Sequence, residues 1–137
     1  MSKKKGFPAE VVTTIVHRDN GKCARCGKHV THLQRGFSWS VHHRRPRSRG
    51  GTSLVWVDLA ANGVVLCGSG TTGCHGWVES NRAEAVAAGF IVSALGVRTA
   101  ADIPIRHHEY GLCYLNDYGG VDRIEEGWTP EAIEAWT

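Results

Sequence analysis

The chain has no long apolar run. No stretch of its 137 residues approaches the roughly 20 apolar side chains of a membrane-spanning helix, so no membrane association is expected. Its start, Met1-Ser2-Lys3-Lys4-Lys5, is basic, but Val11-Val12-Thr13-Thr14-Ile15-Val16 is too short and polar for a secretory signal core. The expected protein is soluble and cytoplasmic. Internal repeats are also missing. Acids are almost absent from His17 to Gly51, where nine Lys/Arg face Asp19 alone, a net charge of +8. From Ala100 to Thr137 the balance reverses: two arginines stand against eight acids, a net −6. The overall +3 conceals this polarity. A chain so polarised can steer a polyanion to one face. An even cysteine count is lacking too. Five cysteines cannot all pair, and a close Cys-x-x-Cys without a secretory segment favours metal over disulfides.

What is present fits one small globular domain. Hydrophobic content of 42% and charged content of 21% are ordinary, and this length buries roughly two thirds of the unfolded surface. Cys23-Ala24-Arg25-Cys26 and the pair Cys67 and Cys74 are thiolate pairs far apart in sequence that can close one tetrahedral structural zinc site. They bracket His42-His43, and Cys74 runs directly into His75. Arg44, Arg45, Arg47 and Arg49 follow the histidine pair and are expected to contact phosphates. A zinc-pinned scaffold with a second His-rich site in a basic loop suggests metal-assisted phosphodiester chemistry.

A helix is predicted from Pro8, with Val11, Val12, Ile15 and Val16 at helical spacing, ending at Asp19-Asn20-Gly21. Phe37 to Val41 alternates and reads as a strand delivering His42 and His43. Leu54-Val55-Trp56-Val57 reads as a second strand or an extended connection, and Val64-Val65-Leu66 runs into Cys67. After Cys74 the pattern is helical until Gly89, and Phe90-Ile91-Val92 reads as a strand. Ile103–Arg106 and Leu112–Leu115 suggest a β ribbon, with Asp117–Gly120 as turn material, and Thr129-Pro130 opens a terminal helix. His29, His32, His107 and His108 read as structural or surface residues. Cys113 reads as a buried unliganded thiol, and Trp39, Trp56 and Trp77 as packing.

The order Cys23, Cys26, strand, His42-His43-Arg44-Arg45-Pro46, Asn62-Gly-Val-Val-Leu-Cys67, Cys74-His75, helix resembles the HNH endonuclease family over residues 17–90. Within it, the chain is most similar to small bacteriophage HNH proteins encoded near packaging genes. The resemblance implies an α+β fold: a ββα-metal (His-Me finger) core, a four-cysteine zinc staple and a small β-containing C-terminal extension. Residues 1–16 would form a basic tail and N-terminal helix, 17–90 the nuclease core, and 91–137 an acidic extension packed on it. It implies His43 as general base, Asn62 as its positioner, and His42 with His75, joined by Glu79 in one version, as ligands of a catalytic metal. Cys23, Cys26, Cys67 and Cys74 would hold the structural zinc. The implied activity is hydrolysis of DNA phosphodiesters, as a nick or a double-strand cut, by a monomer or weak dimer, with terminase proteins as candidate partners.

Many family members place Asp at the position of His42. Imidazole there shifts the expected catalytic ion from magnesium toward manganese, cobalt, nickel or zinc. Six residues between Cys67 and Cys74, where two are usual, form the second departure. The rival expectation is a non-catalytic zinc module that binds DNA or serves a packaging machine.

Overall fold

The computed structural model describes residues 6–46, 54–93 and 98–124. Helix α1, Ala9–Arg18, follows Pro8, whose carbonyl accepts from the amides of Val11 and Val12. Its apolar residues fall at helical spacing and bury Ile15 completely. The helix ends where Asn20 (φ 57°) and Gly21 (φ 69°) turn left-handed, which asparagine and glycine tolerate best.

Strands β1, Trp39–His43, and β2, Gly63–Cys67, pair antiparallel, with His43 opposite Gly63 and Trp39 opposite Cys67. Val64 and Leu66 join a core cluster with Val78, Phe90, Ile105, Cys113 and Leu115, while Val65 joins Ile15, Val30, Trp39 and Ala60. Alternate residues of β2 therefore serve opposite faces, and apolar side chains cover both. This explains why the strand reads as an unbroken apolar run. Helix α2, Gly73–Ser80, lies against both strands. A short α3, Arg82–Ala87, follows.

The last sheet comprises β3, Ile105–His107, β4, Gly111–Leu115, and β5, Val121–Arg123, in antiparallel order. Ile105, Cys113 and Leu115 complete the same core that Val64 and Leu66 enter. The expected ribbon and its turn are present, and β5 adds a strand that the sequence pattern did not indicate. Among the described residues, no helix is long and apolar enough to cross a membrane.

A buried ionic knot joins these layers. Arg18 Nε lies 2.9 Å from Asp19 Oδ1, and its other nitrogens donate to the carbonyls of Ala60 and Gly63. Asp19 also accepts from the Val65 amide and lies 2.8 Å from His107 Nε2. Burial alone would raise the Asp19 pKa; the Arg18 charge and hydrogen bonds from His107 and Arg18 outweigh it and hold the carboxyl below its ordinary range. His107 is thus structural, as expected, and ties β3 to α1.

Four local expectations need correction. Of residues 54–57 only Leu54 is extended: Val55–Asp58 is a 3₁₀ turn that buries only Val57 and leaves Val55 78% exposed. Phe90-Ile91-Val92 is buried but forms no strand, because its amides bond to Ala85 and Arg44 carbonyls rather than to a neighbouring strand. The helix after Cys74 breaks at Asn81, whose side-chain amide donates back to the Trp77 carbonyl. The first strand begins at Trp39, not Phe37, while His42 and His43 stand at its end, as expected. The expected terminal helix from Thr129 lies outside the described residues.

Candidate metal centres

Cys23 and Cys26 occupy a knuckle between α1 and β1. The Cys23 amide donates to the Lys28 carbonyl and Gly27 (φ 81°) donates back to Cys23, which turns the chain so that the Cys26 amide reaches Cys23 Sγ at 3.5 Å. Cys67 ends β2 and Cys74 sits in the first turn of α2, its amide 3.3 Å from Cys67 Sγ. The six intervening residues fold back on themselves through bonds between Ser69 and Thr72, with Gly68 at φ 85° where a Cβ would overlap the Thr72 carbonyl. The wide spacing thus returns Cys74 to Cys67.

The four Sγ atoms lie within 4.8 Å of one another, and Cys26 and Cys67 are 3.8 Å apart. A tetrahedral zinc with sulfur ligands at about 2.3 Å requires sulfur–sulfur edges of about 3.8 Å. The cluster fits a metal ion such as zinc. Burial pushes the Cys23 and Cys74 thiols up, so thiolates there call for a compensating cation. Arg25 adds one fixed charge: its Nη1 lies 3.4 Å from Cys74 Sγ, and its guanidinium stacks 3.7 Å above the Trp77 ring. Cys113 stands apart in the core, its thiol pushed up to about 11 by burial.

A second donor cluster brings His42, His75 and Glu79 ligand atoms within 4.8 Å of one another. The His42 and His75 rings meet edge-on, 5.3 Å between centroids. His42 Nε2 lies 2.8 Å from the Phe90 carbonyl, an acceptor, so Nε2 carries the proton and Nδ1 the lone pair. His75 Nδ1 lies 2.8 Å from Ser40 Oγ, which leaves Nε2 as its ligand atom. Burial pulls the His42 pKa down to about 4 and lowers that of His75. Both rings are therefore neutral near pH 7, the form that binds a metal. Glu79 is exposed and pairs with Arg82 at 3.2 Å. Val41, His42, His43, Pro46, His75 and Glu79 line a cleft of about 230 Å³.

His43 sits in the same cleft. Its Nε2 is 3.1 Å from Asp58 Oδ1, and its ring stacks on Phe7 with centroids 3.9 Å apart and planes 8° from parallel. Asn62 is fully buried: its Oδ1 accepts from the Arg45 amide, and its Nδ2 donates to the carbonyls of Arg45 and Val57. Both ends of that amide bond to backbone, at Arg45, two residues after His43, and at Val57.

The arginine group divides. Arg44 is 0% exposed, and its guanidinium donates to the carbonyls of Gly89, Ala61, Ala100 and Ile103. It is a structural keystone, and the expectation that it contacts DNA is corrected. Arg45 is half-buried with its guanidinium 5.9 Å from the Trp56 ring, while Arg47 and Arg49 lie outside the described residues. His29 and His32 are exposed and belong to neither donor cluster. Ser40, Asp58, Phe7 and Arg25 were not indicated by the sequence; no fixed spacing links them to the groups they touch. Comparison with protein-family models, curated proteins and solved structures returns no match.

Proposed function

We propose that the chain is a metal-dependent DNA endonuclease of the HNH type, with β1, β2 and α2 forming its ββα-metal core. The observation that carries this reading is the convergence of the His42, His75 and Glu79 donors in one cleft with His43. A DNA-binding module has no use for an open donor set beside a second imidazole.

In this reading His42, His75 and Glu79 hold one divalent ion, and the four cysteines hold a structural zinc. The catalytic ion, when bound, supplies Lewis-acid stabilisation of charge on phosphate oxygens. His43 takes a proton from the attacking water, and its imidazole suits that task near neutral pH. Asn62 keeps the chain just after His43 from drifting, which preserves alignment with the scissile phosphate. The Phe90 carbonyl fixes the His42 tautomer, and Ser40 holds the His75 ring through Nδ1. Arg45, with Arg47 and Arg49, supplies phosphate contacts. Expected products carry 5′-phosphate and 3′-hydroxyl ends, and a single core cuts one strand per encounter. A phage packaging role with terminase as partner is the biological setting the reading favours.

The test is supercoiled-plasmid nicking by wild type and His43→Ala in the presence of manganese. Removing a general base costs on the order of a hundred- to ten-thousand-fold in rate, while folding, zinc content and DNA binding survive. A wild type that binds DNA yet nicks none with any divalent ion refutes the enzyme and favours a non-catalytic zinc module.

A further inference from the structure

Asp58 ends the 3₁₀ turn Val55–Asp58, on a segment that carries none of the donor residues, yet its carboxylate reaches His43 Nε2 at 3.1 Å. A carboxylate only accepts, so this contact puts the imidazole proton on Nε2 and leaves the lone pair on Nδ1. The ring plane is set separately, by the parallel stack on Phe7. That stack depends on Gly63, opposite His43 in the sheet: a Cβ there would overlap Ile15 Cδ1 and lie 2.8 Å from Phe7 Cζ.

Asn62 joins the two chain segments that meet in the pair. Its amide bonds to Arg45, two residues after His43, and to the Val57 carbonyl, one residue before Asp58. The Asn62 carbonyl also accepts from the Arg44 amide. One buried side chain thus fixes both partners, which a chance surface contact does not require.

We propose that Asp58 is a positioning residue for His43, setting the tautomer in which Nδ1 accepts the proton, with Phe7 holding the ring plane. The proposal rests on the nuclease reading above. The contact is a hydrogen bond from a neutral imidazole to a carboxylate, with side chains 18% and 31% exposed. Thermal unfolding of Asp58→Ala is read beside its turnover, so that lost turnover is told apart from lost structure.

The experiment uses the full metal-loaded chain as wild type, Asp58→Ala and Asp58→Glu. Nitrogen-15 NMR of histidine-labelled protein reads the His43 tautomer, with His43→Ala assigning the signal. Plasmid nicking with manganese reads kcat and KM. Wild type is expected to hold the Nε2–H tautomer and Asp58→Ala to lose that preference. In Asp58→Ala kcat should fall on the order of a hundredfold, the cost of a misplaced group, with KM unchanged. Asp58→Glu should recover part of both signals. An Nδ1–H tautomer in wild type, or wild-type kcat in Asp58→Ala, overturns the proposal. If wild type nicks nothing, the nuclease reading fails and takes the catalytic half of this proposal with it. The tautomer comparison still decides whether Asp58 orients the ring.

Discussion

Truncating Arg44 to alanine distinguishes a keystone from a DNA contact. The wild-type guanidinium donates at 2.8 Å to Gly89, 2.9 Å to Ala61, 3.1 Å to Ala100 and 2.7 Å to Ile103. These carbonyls come from separate segments, so one side chain fastens the end of β1 to three other parts of the fold. Leaving a buried acceptor unsatisfied costs about 1–3 kcal/mol. The Ala100 carbonyl keeps the Ile103 amide as a donor, and water entering the cavity with relief of the buried charge keeps the other three near the low end, so the set costs about 3 kcal/mol. That is a large share of the stability of a typical domain and corresponds to a fall in Tm of about 10–20 °C. Urea and thermal unfolding of the metal-loaded protein read it directly. A surface phosphate contact behaves oppositely: truncation moves stability by no more than about 0.5 kcal/mol and weakens DNA binding with a shallower salt dependence. If Arg44→Ala unfolds like wild type and loses only DNA affinity, the keystone argument is wrong.

The cysteine cluster predicts one tightly held zinc per chain by elemental analysis. Stripping it, or making Cys23→Ala, should unfold the protein, because structural zinc contributes on the order of 10–16 kcal/mol in small modules. Two imidazole donors predict nicking with manganese, cobalt or nickel at least equal to that with magnesium; a strict magnesium requirement would point to Glu79 as the principal ligand. The Asp19 pKa is lowered in the fold, so its stabilisation is complete above the ordinary aspartate value and disappears as pH falls through the folded one. As pH falls below the ordinary aspartate value, Asp19→Asn should show a flatter loss of unfolding free energy than wild type; parallel curves would count against the buried knot.

The candidate metal ligands were legible in the sequence because ligand chemistry admits few residue types. Cysteine and histidine announce themselves; spacing sets off the four cysteines, and the resemblance to HNH endonucleases implied the set of His42 and His75. Helix α1 and the β3–β4 ribbon were legible for a different reason, since period 3.6 and period 2 survive in short windows. Arg44 was not. Nothing in Arg44-Arg45-Pro46 distinguishes the arginine whose direction is inward, because its acceptors come from residues 61, 89, 100 and 103. Phe90-Ile91-Val92 has the composition of a strand, yet an apolar triplet only specifies burial; its hydrogen-bond partners decide its form. Asp58 lies 15 residues from His43, and the contact exists only once the Asn62 bonds are made.

The two donor clusters are mechanically one device. Cys74 and His75 are adjacent in the first turn of α2, and β2 runs from Gly63, opposite His43, to Cys67. A metal that pins Cys67 to Cys74 therefore sets the start of α2, and with it the direction of His75. Gly76 tightens the same turn, since a Cβ there would lie 2.6 Å from the Thr71 carbonyl carbon. Ser40, on the strand paired with β2, then holds the His75 ring. In the proposed nuclease the cysteine cluster contributes no chemistry. Its place in the mechanism is to hold α2 at the depth where His75 and Glu79 meet His42, so loss of the staple should abolish binding at the second centre together with the fold.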